Sequence, residues 1–71
     1  MADRDRLLLM LKSMLVQLKS GDPADVETAQ FKLIIKPTKK NIDLLNKGIV
    51  IFMEGTMSYS AVIVMIVAGG C

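Results

Sequence analysis

GIVIFMEGTMSYSAVIVMIVAGG, residues 48–70, holds the densest apolar surface of the chain and a single charge, Glu54. Its conformation decides the fold. Read as one helix, its 23 residues extend about 35 Å, enough to cross a bilayer core of about 30 Å. Lys39, Lys40 and Lys47 precede it, which would hold the N-terminal part on the cytoplasmic side. Against a span, Glu54, Gly55, Ser58 and Ser60 interrupt the run, and a carboxylate in hydrocarbon is costly. The unbroken apolar segment Ala61–Ala68 has only eight residues, the length of a buried strand.

Residue choice favours strands here. Residues 7–18 contain six leucines, and no leucine follows Leu45. The tail instead carries Ile49, Val50, Ile51, Val62, Ile63, Val64, Ile66 and Val67. These β-branched side chains are stiff at χ1 and pack well on a pleated surface. The stretch therefore predicts a strand over Ile49–Met53, a turn at Glu54-Gly55-Thr56 and a second strand from Met57 through Val67, with Gly69-Gly70-Cys71 as a flexible end. In such a strand Val62, Val64 and Ile66 would point to one face, and Ala61, Ile63, Met65 and Val67 to the other. Both faces are apolar, so a charge at either Val64 or Ile63 would damage folding and assembly.

Outward from that stretch, residues 4–20 carry Leu7, Leu8, Leu11, Met14, Leu15 and Leu18 on one helical stripe. Asp3 and Asp5 suit the helix N-terminus, and Gly21 supplies its C′ residue. Asp22-Pro23-Ala24-Asp25 is a helix-start signal, predicting a second helix from Pro23. Phe31, Leu33 and Ile35 alternate with Lys32 and Lys36, so Phe31–Lys36 reads equally as strand, and Pro37 ends either version. Thr38 then caps a short helix, Lys39–Lys47, with Ile42 and Leu45 inward and Gly48 as C′. The organisation is one small domain over residues 1–71: helical 4–36, short helix 38–47, and an apolar β-rich or membrane segment 48–70. The fold class is α+β, an N-terminal amphipathic helix or helix pair packed on a small Val/Ile-rich sheet or hairpin. The alternative is all-α with a C-terminal membrane-spanning helix.

A chain of 71 residues sits near the size at which one core is barely sufficient. Its apolar fraction of 52% and mean hydropathy of +0.46 exceed what so small an interior hides. Some of that surface must face a partner, a second copy or lipid. Net charge is +2, unevenly spread: residues 31–47 carry five lysines against Asp43. The one cysteine, Cys71, permits no internal disulfide, and Asp3 and Asp5 are wrong for a secretory n-region. The expected location is the cytoplasm or the cytoplasmic face of a membrane.

The chemistry-bearing motifs are mostly missing. There is no histidine, no second cysteine, no calcium-loop spacing and no phosphate loop or dinucleotide fingerprint. The chain reads as non-enzymatic, with no cofactor. Two short stretches resemble known families. Ile42-Asp43-Leu44-Leu45-Asn46-Lys47-Gly48-Ile49-Val50-Ile51 looks like the start of the hairpin in gas-vesicle shell proteins, departing after Ile51. Val67-Ala68-Gly69-Gly70-Cys71 is similar to the end of a double-glycine leader, with Ile63 where that pattern has an acid. They cover ten and five residues, and neither carries a function across.

The resulting expectation is a small interaction or assembly protein acting through an apolar surface in a homo- or hetero-oligomer. Its candidate interface residues are Leu7, Leu11, Met14, Leu18, Val62, Val64 and Ile66. Lys36, Lys39, Lys40 and Lys47 are the candidate anion contacts, more simply a solvated face than a nucleic-acid site, since no aromatic stacking pattern accompanies them. A small membrane protein is the alternative and a basic nucleic-acid-binding module the second.

Overall fold

Leu11, Met14 and Leu18 are the buried edge of helix α1, Asp3–Lys19, with Leu7, Leu8 and Leu15 half-buried beside them. The computed structural model describes residues 3–27, 29, 30 and 32–69. The expected end of α1 is present. Gly21 adopts φ +88°, its amide donates to the Leu18 carbonyl at 3.0 Å, and the Asp22 amide donates to the Gln17 carbonyl at 3.1 Å. These are the paired bonds of a Schellman motif.

That motif also explains a correction. Asp22 is committed to closing α1, so it does not open a second helix at Pro23. The chain instead passes through Pro23 into strand β1, which spans Ala24–Glu27. Strand β2 spans Lys32–Ile35, within the strand reading of Phe31–Lys36; Phe31 itself lies outside the described residues. The strands pair antiparallel, Ala24 opposite Ile35 and Val26 opposite Leu33. Those four side chains form the inner face, and Asp25, Glu27, Lys32 and Ile34 the outer one. The period of two, not 3.6, is what wins in this segment.

The larger correction concerns the two strands expected over Ile49–Val67, which are two helices joined by a turn. Helix α2 runs Lys39–Glu54 and helix α3 Tyr59–Gly69. Thr38 caps α2 as expected, its Oγ1 accepting from the Asn41 amide at 3.1 Å. The helix does not stop at Gly48. It continues for six more residues to Glu54, and Gly55 at φ +86° is the true C′ residue, its amide donating to the Phe52 carbonyl. Ser58 caps α3, its Oγ accepting from the Ala61 amide at 3.1 Å. The ten residues resembling the gas-vesicle hairpin are one continuous helix. No described helix is long and apolar enough to cross a membrane, so the single span over residues 48–70 is replaced by two helices and a turn.

Helix wins because it buries the right side chains together. In α2, Asn41, Leu45, Gly48, Ile49 and Phe52 recur on one stripe. In α3, Val62, Ile63 and Ile66 do so. With Leu11, Met14, Leu18, Ala24, Val26 and Ile35 they make one core. The fold is therefore α+β, three helices and a two-stranded hairpin with α1 packed on it, and the hairpin lies in the first half of the chain. Arg4 ties α1 to α2 at the other end: its guanidinium lies 4.1 Å from the centroid of the buried Phe52 ring and donates to the Phe52 carbonyl. A cation there meets both the ring face and the negative end of the α2 dipole.

Gly48 is where α2 and α3 touch most closely. A Cβ at this position would sit 2.6 Å from Val62 Cγ1 and 3.2 Å from Met65 Cε. Val62 is fully buried and β-branched, so it cannot swing away. Alanine ordinarily gains about 1 kcal/mol over glycine inside a helix, but overpacking costs about 1–3 kcal/mol. We expect Gly48→Ala to be net destabilising by about 1–2 kcal/mol in urea denaturation. Val62→Ala should relieve part of that loss, so the double variant falls short of the sum of the single effects. At Gly55, where nothing lies within 4 Å, Gly55→Ala should cost about 1 kcal/mol from the left-handed backbone alone, additively with Val62→Ala.

Candidate functional site

Helix burial sorts the candidate interface residues into two groups. Leu11, Met14, Leu18, Val62 and Ile66 are inside the chain's own core, and Leu7 is half-buried against it. Val64 alone of them is turned outward, 53% exposed. In a helix it falls opposite Val62 and Ile66, not beside them as in a strand. Ile63, by contrast, is fully buried. A charge at Ile63 should therefore unfold the chain, whereas one at Val64 meets water, which revises the strand-based expectation that both would be damaging.

Apolar side chains are exposed on several surfaces among the described residues, Val50 and Met53 on α2 included, and two surfaces stand out. The first is an open groove of about 1080 Å³ between α1 and the hairpin, where Leu9, Met10 and Ile34 are exposed. Arg6, Asp25, Glu27 and Lys32 border it, both signs interspersed. The second is the outer side of α3. None of its eleven residues is charged, and Ser60, Val64, Val67 and Ala68 face outward. An exposed helix face without a charge is unusual in a chain whose other helices are well supplied with them.

Helix α2 flanks that face. Leu44 touches the Cβ position of Gly69, and Gly48 lies against Val62 and Met65, so the two helices run antiparallel along this contact. Lys40 and Lys47 lie four residues before and three after Leu44, and Ile51 four after Lys47, all on the stripe next to α3. Lys36 borders Val67 at the far end. Lys39 falls on another side of α2. The lysines read as an anion block from sequence thus do not converge: Lys40 and Lys47 share one stripe, and Lys36 and Lys39 stand apart. Among the described residues the salt bridge found joins Arg6 to Asp3 at 3.7 Å, exposed, and none reaches these lysines.

Polar detail inside the fold is sparse. Asn41 is buried; its Nδ2 donates to the Lys36 carbonyl at 2.8 Å, and its Oδ1 has no partner among the described residues. With the Thr38 amide, which donates to the same carbonyl at 2.9 Å, this bond fastens the residue after β2 to the start of α2. Tyr59 places its hydroxyl 4.0 Å from Met14 Sδ, and burial raises the phenol above its ordinary value of 10.0. Among the described residues no group of three or more metal-binding side chains is assembled. Gly70 and Cys71 lie outside the described residues, so the double-glycine resemblance has no structural counterpart to report beyond Gly69, the last residue of α3. No family model, curated protein or solved structure matches this chain.

The Tyr59 phenol supplies a pH test of the packing between α1 and α3. Its neutral form is favoured by the fold, so its contribution is fully present below pH 10.0 and is lost as pH rises through the higher folded value. Absorbance titration of the native chain should give a phenolate midpoint above 10.0, returning toward 10.0 in denaturant, with stability falling as the pH passes that region.

Proposed function

We propose that this chain is a small, non-enzymatic association protein that works in a homo- or hetero-oligomer through the outer face of α3 and the flank of α2 beside it. The observation that carries this is the uncharged α3 face: Val64 and Val67 are exposed with no charged residue anywhere on the helix. Leaving such a face in water forgoes the solubility that interspersed charge supplies elsewhere on the molecule. The face is held on a rigid base, because Gly48 and Val62 fix α3 against α2 and Val62, Ile63 and Ile66 anchor it in the core. The α1–hairpin groove is the weaker candidate, since its mixed charges already give it a solvated rim.

Val64→Glu tests the reading without endangering the fold. An exposed substitution of this kind should change stability by no more than about 0.5 kcal/mol, and the circular dichroism spectrum should be unchanged. Association should be lost, measured by light scattering of the isolated chain and by cross-linking in its native cell. Association that survives the added charge, or a wild-type chain that associates in neither setting, would sink the proposal.

A further inference from the structure

We infer that α3 is a latent strand: when it loses its packing against α2, residues 61–68 pass from helix to strand and stack with the same segment of other copies of this chain in a cross-β assembly. This conversion is independent of the association reading above, which concerns the folded chain. Ala61–Ala68 reads AVIVMIVA, eight apolar residues with no charge, proline or glycine. Five of the eleven residues of α3, Val62, Ile63, Val64, Ile66 and Val67, are β-branched and lose χ1 freedom in a helix. Eleven residues also fall short of the about 12–15 that an isolated helix needs in water. No charged side chain stands at either end to meet the helix dipole, and none forms an ion pair along it. The helical form of α3 therefore depends on tertiary contact: Val62, Ile63 and Ile66 in the core, and the close approach of Val62 and Met65 to Gly48.

Released from that contact, the segment has the residues of a steric zipper. Extended, it sets Val62, Val64 and Ile66 on one face and Ala61, Ile63, Met65 and Val67 on the other, so both faces pack dry. Identical strands stacked in register bring like side chains to about 4.8 Å from one another, which an uncharged segment accepts without repulsion. The other apolar stretches are guarded. Ile49–Met53 is bracketed by Lys47 and Glu54, and it belongs to a 16-residue helix capped by Thr38 and Gly55. The apolar stripe of α1 is leucine and methionine, good helix formers, with Lys12 and Lys19 interspersed. Around Ala61–Ala68 no charge comes closer in sequence than Glu54.

The test holds the full chain at its urea midpoint with agitation and follows thioflavin T fluorescence. Fibrils should form after a lag, with hydrogen-exchange protection at residues 61–68. At that same urea concentration Gly48→Ala, which loosens the α2–α3 contact, should shorten the lag by enlarging the unfolded population about 5- to 30-fold. The remaining variants are each compared at their own midpoint. Val64→Lys places a charge at a position exposed in the native helix, so the native circular dichroism should be unchanged, and stacked like charges should lengthen the lag severalfold. Val16→Lys, the same change at an exposed position of α1, should leave the lag as in the unsubstituted chain. The uncharged double variant V64A/V67A should also lengthen it, since alanine favours helix over strand. Absence of fibrils from the unsubstituted chain, a protected core outside residues 61–68, or equal lags in V64K and V16K would overturn the inference. A chain that is monomeric without urea, alone and in its native cell, yet forms these fibrils at its midpoint would remove the association reading and leave this one standing. Native association without fibrils would do the reverse.

Discussion

The contact between Gly48 and Val62 is the constraint on which the rest of the structure depends. Without a side chain at position 48, α3 lies directly against the α2 backbone, with Met65 and Gly69 following along the same line of contact. This close approach lets Val62, Ile63 and Ile66 enter the core that α1 and the hairpin complete. A glycine inside a helix costs backbone entropy, so its place here is explained by packing and not by helix propensity. The same contact sets the rotation of α2, and hence where its lysines point.

Helix ends do the remaining work of arranging the chain. Gly21 and Gly55 close α1 and α2 with the same pair of amide bonds to the preceding turn, and Thr38 and Ser58 open α2 and α3 with side-chain caps. Between these points the connections are short, leaving little freedom in how successive elements meet. Arg4 adds a link from the start of α1 to the end of α2 through the Phe52 ring and carbonyl. The hairpin then covers the core with Ala24, Val26, Leu33 and Ile35 and turns its charged residues outward.

Surface and core are coupled through helical register. The turn that sets Gly48 against Val62 also places Lys40, Leu44, Lys47 and Ile51 in a row beside α3. On α3, burying Val62 and Ile66 obliges Val64 and Ala68 to face out. An uncharged α3 face beside the mixed charges of Lys40, Asp43 and Lys47 is thus a consequence of how the core is filled. That face supports an associating role because its geometry is fixed before any partner arrives, so little ordering entropy is lost on binding.

Much of this was legible in the residues themselves. The leucine stripe of α1, its glycine terminator, the Thr38 cap and the alternation of Leu33 and Ile35 with Lys32 each specify local structure through nearest-neighbour physics. So does the excess of apolar surface for the length. The second half was not legible in the same way. Residues 59–69 carry no charge and almost no polar contrast, so hydrophobic periodicity, which needs a polar face, is silent, and β-branched composition pointed to strands. Gly48 read locally is a helix terminator, yet it is an interior residue because only a neighbouring helix makes the missing Cβ worth its cost. Composition and spacing determined that the chain folds as helix on hairpin with apolar surface left over. Tertiary packing alone decided which segment became the hairpin and which valines faced out, because burial against α1 and α3 outweighs the modest intrinsic preference of a β-branched residue.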